Sequence, residues 1–405
     1  LHYPLRRQRQ MCIRDREWPW QGRCRLWVFA VVDDEIGTVR SAVEAVCEEH
    51  AGEPRAPGKC ADFVSFGGEK SQAATGIKGD SGFRIQRLSA RPTSYKDKTM
   101  SRKTIQWSGV FPAVTTQFNA DFSLNLQATH KVMRSLVDDG VSGLVVCGTV
   151  GENTSLTTAE KLAVIEVAKD AAGGRVPVIA GVAEFTTEFA RNTVREAARA
   201  GADGVMVMPA LVYSAKPHET AAHFRAVATG TDLPVMVYNN PPIYKNDVTP
   251  DVLIALQDCE NIVCFKDSSG DTRRFIDLRN AVGDRFVLFA GLDDVVVESV
   301  AVGAEGWVSG MSVAFPKEGE TLFRLAKEKR FEEALALYRW FMPLLHLDAR
   351  PDLVQCIKLC EELVGRGSSI TRPPRLPLQG ETLAEVKAIV AKALATRPSL
   401  PNVGL

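Results

Sequence analysis

From residue 100 onward, short apolar runs alternate with amphipathic segments. The segments between the runs carry apolar residues three and four positions apart and often end at a glycine, which is typical of helices. Thr157 and Glu160 open one of these segments with the spacing of a capping box. Near-continuous apolar strands separated by helices predict a parallel sheet covered on both faces. The apolar runs are "GVFPAVTT", "GLVVCGT", "PVIAGVA", "GVMVMPA", "PVMVYNN", "IVCFKDSS", "FVLFAGL" and "GWVSGMS".

Eight such units in succession predict a (β/α)8 TIM barrel over residues 100–328. A doubly wound open sheet is the alternative, which the absence of a G-x-G-x-x-G fingerprint makes weaker. After Phe315 the strand pattern ends. The helix-like segments that follow predict a C-terminal helical extension, residues 329–405, which could serve as an oligomer contact.

Two long stretches within residues 1–99, 6–27 and 59–82, show neither a helix period nor a strand period. The first of them is crowded with Arg, Trp and Cys, and its "MCIRDR" looks like translated sequencing-adapter sequence. We expect a disordered or non-native N-terminal extension, with Met100 as the native start. The apolar "LWVFAVV" is short and lacks a small-residue cleavage site, so a secretory signal is not expected.

Composition narrows the function classes. The chain has 405 residues, with 49 basic and 49 acidic side chains. Zero net charge argues against a nucleic-acid or membrane-surface partner, and no apolar run reaches the roughly 18 residues of a membrane helix. Nine cysteines without a C-x-x-C pair predict reduced thiols in the cytoplasm. Cys356 and Cys360 could be two metal ligands, but without a third ligand we interpret them as small buried side chains and expect no metal.

Chemistry in a TIM barrel lies at the C-terminal ends of the strands. The sixth apolar run ends at Lys266 and the fifth at Tyr238. Because neighbouring strands lie about 4.8 Å apart, the two side chains are expected to approach each other. A desolvated lysine has a lowered pKa, and its neutral amine can form a Schiff base with a ketone while a tyrosine transfers protons. The alternatives are a surface lysine and a core tyrosine.

The second run leads into "GTVGE", Gly148 to Glu152, just before a helix. Its glycines leave backbone N–H groups open, and Thr149 adds a hydroxyl. Such a loop suits a carboxylate, although alone it is a weak signal.

"GTVGE", "YNNP" and "FKDSSGD", in this order, resemble the dihydrodipicolinate synthase / N-acetylneuraminate lyase family over about residues 105–395. The resemblance implies a barrel with C-terminal helices, a homotetramer, and no metal or organic cofactor. It makes Lys266 the Schiff-base residue and Tyr238 the proton relay. It also assigns the carboxylate of a 2-oxo acid to Thr149 and the amides of Val150 and Gly151.

The same resemblance places "GWVSG" at the active site, with Gly306 and Ser309 as substrate-lining residues. Three departures argue against dihydrodipicolinate synthase activity itself. Val150 replaces a second threonine, and Ile243 stands where the synthase has an arginine for its second substrate's carboxylate. The tyrosine pair after the fourth strand is missing, which leaves Tyr213 as the candidate substitute.

"KDSSGD", "GLDD", "AFP" and "WFMPLLHLD" look most like the branch acting on 1-pyrroline-4-hydroxy-2-carboxylate in hydroxyproline breakdown. That resemblance implies deamination of a cyclic imine to 2,5-dioxopentanoate and ammonia. Aldolases and dehydratases of 2-keto-3-deoxy sugar acids share "KDSSGD" and are the alternatives within the family. A non-catalytic binding barrel is the alternative outside it, but it would be expected to lack the lysine or the tyrosine.

A few further polar residues have two interpretations. Asp293 and Asp294 could bind a substrate hydroxyl or cap the following helix. His346 is interpreted as a packed helix residue. Asp267 is expected to be structural, because successive strand side chains point to opposite faces.

Overall fold

The computed structural model describes the backbone of two N-terminal strands and residues 105, 107–210, 212 and 214–404. The two strands, β1 (Cys24–Asp33) and β2 (Thr38–Cys47), pair antiparallel. Most of residues 1–99 lie outside the described residues, so the assignment of that segment as a disordered or non-native extension stays a prediction. The other elements belong to the unit Tyr95–Leu405.

Eight parallel strands form the barrel. Their spatial order is β3-β10-β9-β8-β7-β6-β5-β4. A bridge between Ala113 and Val145 joins the ends of β3 and β4, and this closes the ring. The predicted TIM barrel is therefore confirmed. The strands are β3 (Gly109–Pro112), β4 (Leu144–Val146), β5 (Val178–Val182), β6 (Gly204–Val207), β7 (Val235–Asn239), β8 (Ile262–Asp267), β9 (Val287–Ala290) and β10 (Gly306–Ser309).

Helices cover the barrel and continue beyond its last strand. The capping box predicted at Thr157 is confirmed, since its hydroxyl accepts from the Glu160 N–H and the Glu160 carboxylate accepts from the Thr157 N–H. The helices are α1 (Leu126–Asp138), α2 (Thr158–Ala172), α3 (Thr187–Arg199), α4 (Pro217–Ala228), α5 (Pro241–Tyr244), α6 (Pro250–Ile254), α7 (Arg273–Val282), α8 (Val296–Ala301), α9 (Pro316–Lys327), α10 (Phe331–Leu345), α11 (Leu353–Leu363) and α12 (Gly380–Ala395). Within the described part of the chain, no helix combines the length and apolar character needed to cross a membrane.

Aromatic side chains pack against each other in the interior of the barrel. Phe111 of β3 and Phe289 of β9 meet edge to face, with ring centroids 5.2 Å apart. Such a contact adds to the stabilisation from burying both rings. Gly306 makes room for it, because a Cβ atom there would lie 2.2 Å from the Phe289 ring.

Buried charges join α11 to the barrel mouth. The Lys358 side chain is fully buried, and its Nζ donates to Thr116 O at 2.8 Å, Glu152 Oε1 at 3.1 Å, and Ile370 O. Glu361, three residues along the same helix, accepts a hydrogen bond from Thr115 at 2.6 Å. The C-terminal helices are therefore part of the structure that shapes the mouth.

Candidate active site

Lys266 and Tyr238 are paired neighbours on β8 and β7. The Lys266 amine lies 3.9 Å from the centre of the Tyr238 ring, and the lysine is only 5 % exposed. The predicted approach of these two side chains is confirmed. Gly291, just after β9, leaves space for the lysine, since a Cβ atom there would lie 2.8 Å from Lys266 Cε.

Burial makes the Lys266 amine a better nucleophile at neutral pH. It lowers the pKa of the amine to about 8, although the negative charges of Asp348 and Asp293 act in the opposite direction. Burial also raises the pKa of Tyr238 to about 12, so its hydroxyl stays protonated and available as a donor. Asn240 Nδ2 donates to that hydroxyl at 2.9 Å and fixes its position. The pair thus combines an available amine with an oriented hydroxyl.

The "GTVGE" loop has the geometry of an anion-binding turn. Cys147 and Glu152 border it, both with left-handed backbone (φ 53° and 55°), which is uncommon for residues other than glycine. Asn153 Nδ2 holds the loop by donating to Cys147 O at 2.7 Å. No acceptor in the described part of the chain takes up the N–H groups of Val150 and Gly151. Of these two residues, Val150 lines the cavity, where its N–H is available to a carboxylate.

Tyr244, at the end of α5, is a site residue that the sequence reasoning missed. Its hydroxyl shares a short hydrogen bond with Thr149 Oγ1. Its ring packs edge to face against Tyr238, with centroids 5.7 Å apart. Asn240 caps the α5 turn by accepting from Ile243 N at 3.2 Å, so the turn directs Tyr244 back into the barrel. The only signal in the sequence was its position six residues after Tyr238.

These side chains enclose a cavity of about 120 Å³ at the barrel mouth. Lys266 is the one cation and Asp348 the one acid among the described residues that line it. Most of the remaining wall is apolar. The other lining residues are Ala113, Gly148, Thr149, Val150, Met206, Tyr238, Asn240, Pro242, Ile243, Ser268, Gly291, Leu292, Val308, Gly310, Ala349 and Leu353.

Three described residues that were predicted to bind substrate do not line this cavity. Gly151 lies behind the loop, where its carbonyl accepts from Thr116 at 2.7 Å. Gly306 begins β10 deep in the barrel, and Ser309 Oγ donates to Asp293 at 3.2 Å. Tyr213 lies outside the described residues. Their roles as substrate-binding residues stay predictions.

The acidic residues after β8 and β9 hold the structure together. Asp267 accepts from Asn239 at 2.7 Å and so ties β8 to β7, as expected of a structural residue. Asp293 is fully buried and accepts from Trp307 Nε1 at 2.9 Å and Met311 N at 2.7 Å. It therefore orders the loop after β10.

The prediction that His346 is a packed helix residue is wrong. His346 pairs with Asp294 at 3.0 Å, and its side chain is 62 % exposed, so it is a surface residue.

The pKa of Lys266 predicts a specific pH dependence. Only the neutral amine attacks a ketone, so the initial rate of pyruvate adduct formation should fall about tenfold per pH unit below the pKa. With a pKa of about 8, the rate should rise with pH and level off just above that value. The measurement is hydride trapping of the adduct at a series of pH values, followed by intact mass. A flat profile, or one that rises only near the ordinary lysine pKa, would contradict a desolvated amine.

Replacing Tyr238 by phenylalanine removes the hydroxyl but keeps the ring that lies against the Lys266 amine. We expect turnover to fall by about 10²–10⁴-fold, the usual contribution of a positioned acid–base group. Tyr244→Phe should cause a smaller loss, because Thr149 lies between Tyr244 and the substrate carboxylate. Steady-state rates with mass analysis of trapped adduct separate turnover from adduct formation. Unchanged turnover in Tyr238→Phe would remove it from the mechanism.

The comparisons with known proteins agree with this geometry. Residues 106–393 match the model of the dihydrodipicolinate synthetase family. A 4-hydroxy-tetrahydrodipicolinate synthase from Synechococcus sp. (strain WH7803) is 35 % identical over 290 residues, covering 71 % of this chain and 94 % of the relative. The enzyme of the same name from Methanosarcina mazei is 31 % identical over 284 residues, covering 69 % and 96 %.

Solved structures show the same fold. Dihydrodipicolinate synthase from Aquifex aeolicus superposes with a TM-score of 0.69 at 27 % identity, covering 73 % of this chain and all of the other. A prophage protein of the same family from E. coli K12, in complex with pyruvate, gives 0.67 at 26 % identity, covering 72 % and 99 %.

The desolvated lysine at the mouth of a TIM barrel, with a tyrosine hydroxyl beside it, defines an enzyme of the Schiff-base-forming, class I lyase type. More narrowly, the chain belongs to the dihydrodipicolinate synthetase family. Enzymes of this family work through a lysine Schiff base without a metal cofactor. Among the described residues, no cluster of three or more His, Cys, Asp or Glu side chains is arranged to hold a metal ion.

Proposed function

We propose that this enzyme converts 1-pyrroline-4-hydroxy-2-carboxylate to 2,5-dioxopentanoate and ammonia. The observation that carries the proposal is the charge pattern of the cavity. Lys266 is the one cation on the described wall, and it is used for covalent chemistry. The Val150 amide and Thr149 can hold one carboxylate, but a second carboxylate would find no positive partner on the described wall. A small substrate with a single carboxylate therefore fits best.

The proposed chemistry follows from the placement of the groups. The Lys266 amine attacks C2 of the cyclic imine. The ring nitrogen leaves C2 as a free amine on C5, taking one proton from the attacking amine and one from the Tyr238 hydroxyl. The Tyr238 phenolate that results takes a proton from C3, and the C4 hydroxyl departs as water. Proton shift and hydrolysis at C5 release ammonia, and hydrolysis of the Schiff base releases the product. The net change is addition of one water and loss of one ammonia.

The apolar wall of the cavity favours a compact ring as the substrate over a polyol chain. Val150, Ile243 and Leu292 present no hydrogen-bonding side chains to the cavity. A 2-keto-3-deoxy sugar acid carries several hydroxyl groups, and those placed against these three side chains would lack hydrogen-bond partners at a cost in free energy. Aldolase or dehydratase activity on such acids is therefore the less favoured alternative.

The second candidate function is 4-hydroxy-tetrahydrodipicolinate synthesis. The names of the curated relatives, at 30–36 % identity, favour it. The site argues against it, because Ile243 stands at the position that the family resemblance assigns to an arginine. Ile243 is 42 % exposed at the cavity rim and offers no charge for a second substrate's carboxylate.

A substrate panel separates these functions. We expect ammonia release from 1-pyrroline-4-hydroxy-2-carboxylate by the full chain, and none by Lys266→Met. Pyruvate release from 2-keto-3-deoxygluconate without ammonia from the imine would favour the aldolase. Condensation of pyruvate with an aldehyde-bearing amino acid would favour the synthase. Either of the last two results, with no ammonia release, would overturn the proposal.

We also propose a homotetramer in the cytoplasm. Support comes from the family resemblance and from Phe185 and Phe189, two large apolar side chains that are 56 % and 55 % exposed beside α3. Light scattering coupled to size exclusion tests the assembly, and a monomeric mass would contradict it.

A further inference from the structure

Asp348 is a carboxyl group at the active site to which the chemistry so far gives no role. It lies in the short 3₁₀ turn His346–Ala349 between α10 and α11, outside the barrel sequence. Its side chain nevertheless lines the reaction cavity, and only 9 % of the residue is exposed. Gly310, just after β10, leaves space for the Asp348 side chain, because a Cβ atom at Gly310 would lie 2.2 Å from Asp348 Oδ1.

The surroundings of Asp348 make a purely structural role costly. Among the described residues it forms no ion pair within 4.0 Å, and Lys266 acts on its charge from a longer distance. Burial raises the pKa of its carboxyl to about 6, while Lys266 and a hydrogen bond from the Asp293 backbone N–H oppose the rise and Asp294 adds to it. A buried carboxyl without a close basic partner lowers stability unless it has another use.

Asp348 and Tyr238 flank Lys266 from different sides. Tyr238 comes from β7, one neighbour of β8. Asp348 contacts the chain after β10, beyond β9 on the other side. A substrate bound to Lys266 through C2 would extend its C3 and C4 into the space between them. The carboxyl and the amine lie more than 4.0 Å apart, and both line the same cavity of about 120 Å³.

Loss of a hydroxyl group from C4 needs two proton transfers. A base must remove the C3 proton, and an acid must protonate the departing oxygen, since hydroxide is a poor leaving group. Tyr238 is suited to the first step, because giving its proton to the departing ring nitrogen leaves a phenolate beside C3. Among the described residues of the cavity wall, Asp348 is the carboxyl that can perform the second.

We propose that Asp348 is a catalytic residue that protonates the C4 hydroxyl as it leaves. The Tyr238 phenolate left by ring opening first takes the C3 proton, and the C3–H electron pair forms the enamine. The electron pair of the enamine C2–C3 double bond then forms a C3–C4 double bond as the C4–O bond breaks. The iminium forms again at C2. The Asp348 proton joins the oxygen, so water departs and the carboxylate regains a proton from water. No redox step occurs. The proposal rests on the proposed function.

The test compares Asp348→Asn, which keeps the shape but cannot give up a carboxyl proton, with wild type. Ammonia release from 1-pyrroline-4-hydroxy-2-carboxylate should fall about 10²–10⁴-fold. Hydride trapping should reveal an accumulated adduct one water heavier than the dehydrated form. Pyruvate has no C4, so its trapped adduct and its methyl-proton exchange in deuterium oxide should remain at wild-type levels. Tyr238→Phe should lose that exchange.

Two variants serve as controls. Asp348→Glu keeps an acid in the cavity and should retain more activity than Asp348→Asn. Asp232→Asn changes an exposed aspartate and should behave as wild type.

The outcomes separate the two claims. Absence of ammonia release by wild type would end the proposed function and the role of Asp348 with it. Ammonia release by Asp348→Asn at the wild-type rate would overturn the role of Asp348 and leave the function standing. Loss of pyruvate trapping in Asp348→Asn would also overturn it, because the residue would then be positioning the lysine.

Discussion

Lys266→Met should reduce turnover by roughly 10⁴-fold or more and abolish adduct formation with 2-oxo acids. Methionine fills nearly the same volume in the buried position but has no amine to attack the carbonyl carbon. The Schiff base supplies the electron sink for every later step, so no other residue can compensate. Steady-state assays with the best substrate of the panel, at saturating concentration, measure the loss.

The matched control is Lys131→Met, which makes the same change at an exposed position of α1. It should keep wild-type turnover and adduct formation. Circular dichroism and thermal melting of Lys266→Met should show a folded barrel, because removing a desolvated amine relieves a burial cost. Residual turnover within a factor of about ten of wild type would show that Lys266 is not the nucleophile.

Lys358→Met is expected to lower the free energy of unfolding by about 3–5 kcal/mol. The substitution leaves the fully buried Glu152 carboxylate with only the more distant cation Arg375 among the described residues, and leaves Thr116 O without its Lys358 donor. The unfolding midpoint should fall on the order of 10 °C. Glu152 ends the "GTVGE" loop that we propose binds the substrate carboxylate, so the Michaelis constant should also rise. Chemical denaturation and calorimetry measure the stability change.

A double variant tests the cause of that loss. If the cost comes from an unpaired buried charge, adding Glu152→Gln to Lys358→Met should restore part of the stability. Lys131→Met again provides the surface control, and it should change stability by no more than about 0.5 kcal/mol. A loss below about 1 kcal/mol in Lys358→Met would mean that the pair is not needed to hold α11 against the mouth.

Much of the barrel could be predicted from the sequence because its signals are local. Each strand is a short apolar run, and the register that pairs Tyr238 with Lys266 follows from strand order and from where each run ends. The C-terminal helices were also predicted from their periodicity. Their attachment was not, because Glu152 and Lys358 are 206 positions apart and nothing in either segment indicates the other.

The residues of the candidate site also fall into two groups, those that local sequence signals indicate and those that contacts between distant segments position. Lys266, Tyr238 and Thr149 lie at strand ends, where the fold itself indicates chemistry. Tyr244 could not be predicted, because its direction depends on the α5 turn and on its bond to Thr149. Asp348 enters from a turn after α10, and its access depends on the missing side chain at Gly310. Only the three-dimensional structure relates such long-range contacts to the cavity.

Peptide mapping of the borohydride-reduced pyruvate adduct tests the central claim most directly. The native chain is treated with pyruvate and borohydride, digested, and sequenced by mass spectrometry. The expected result is one added pyruvic acid less one oxygen atom, located on Lys266 and absent from the Lys266→Met variant. An adduct on any other lysine, or no adduct at all, would contradict the assignment of Lys266 as the Schiff-base residue.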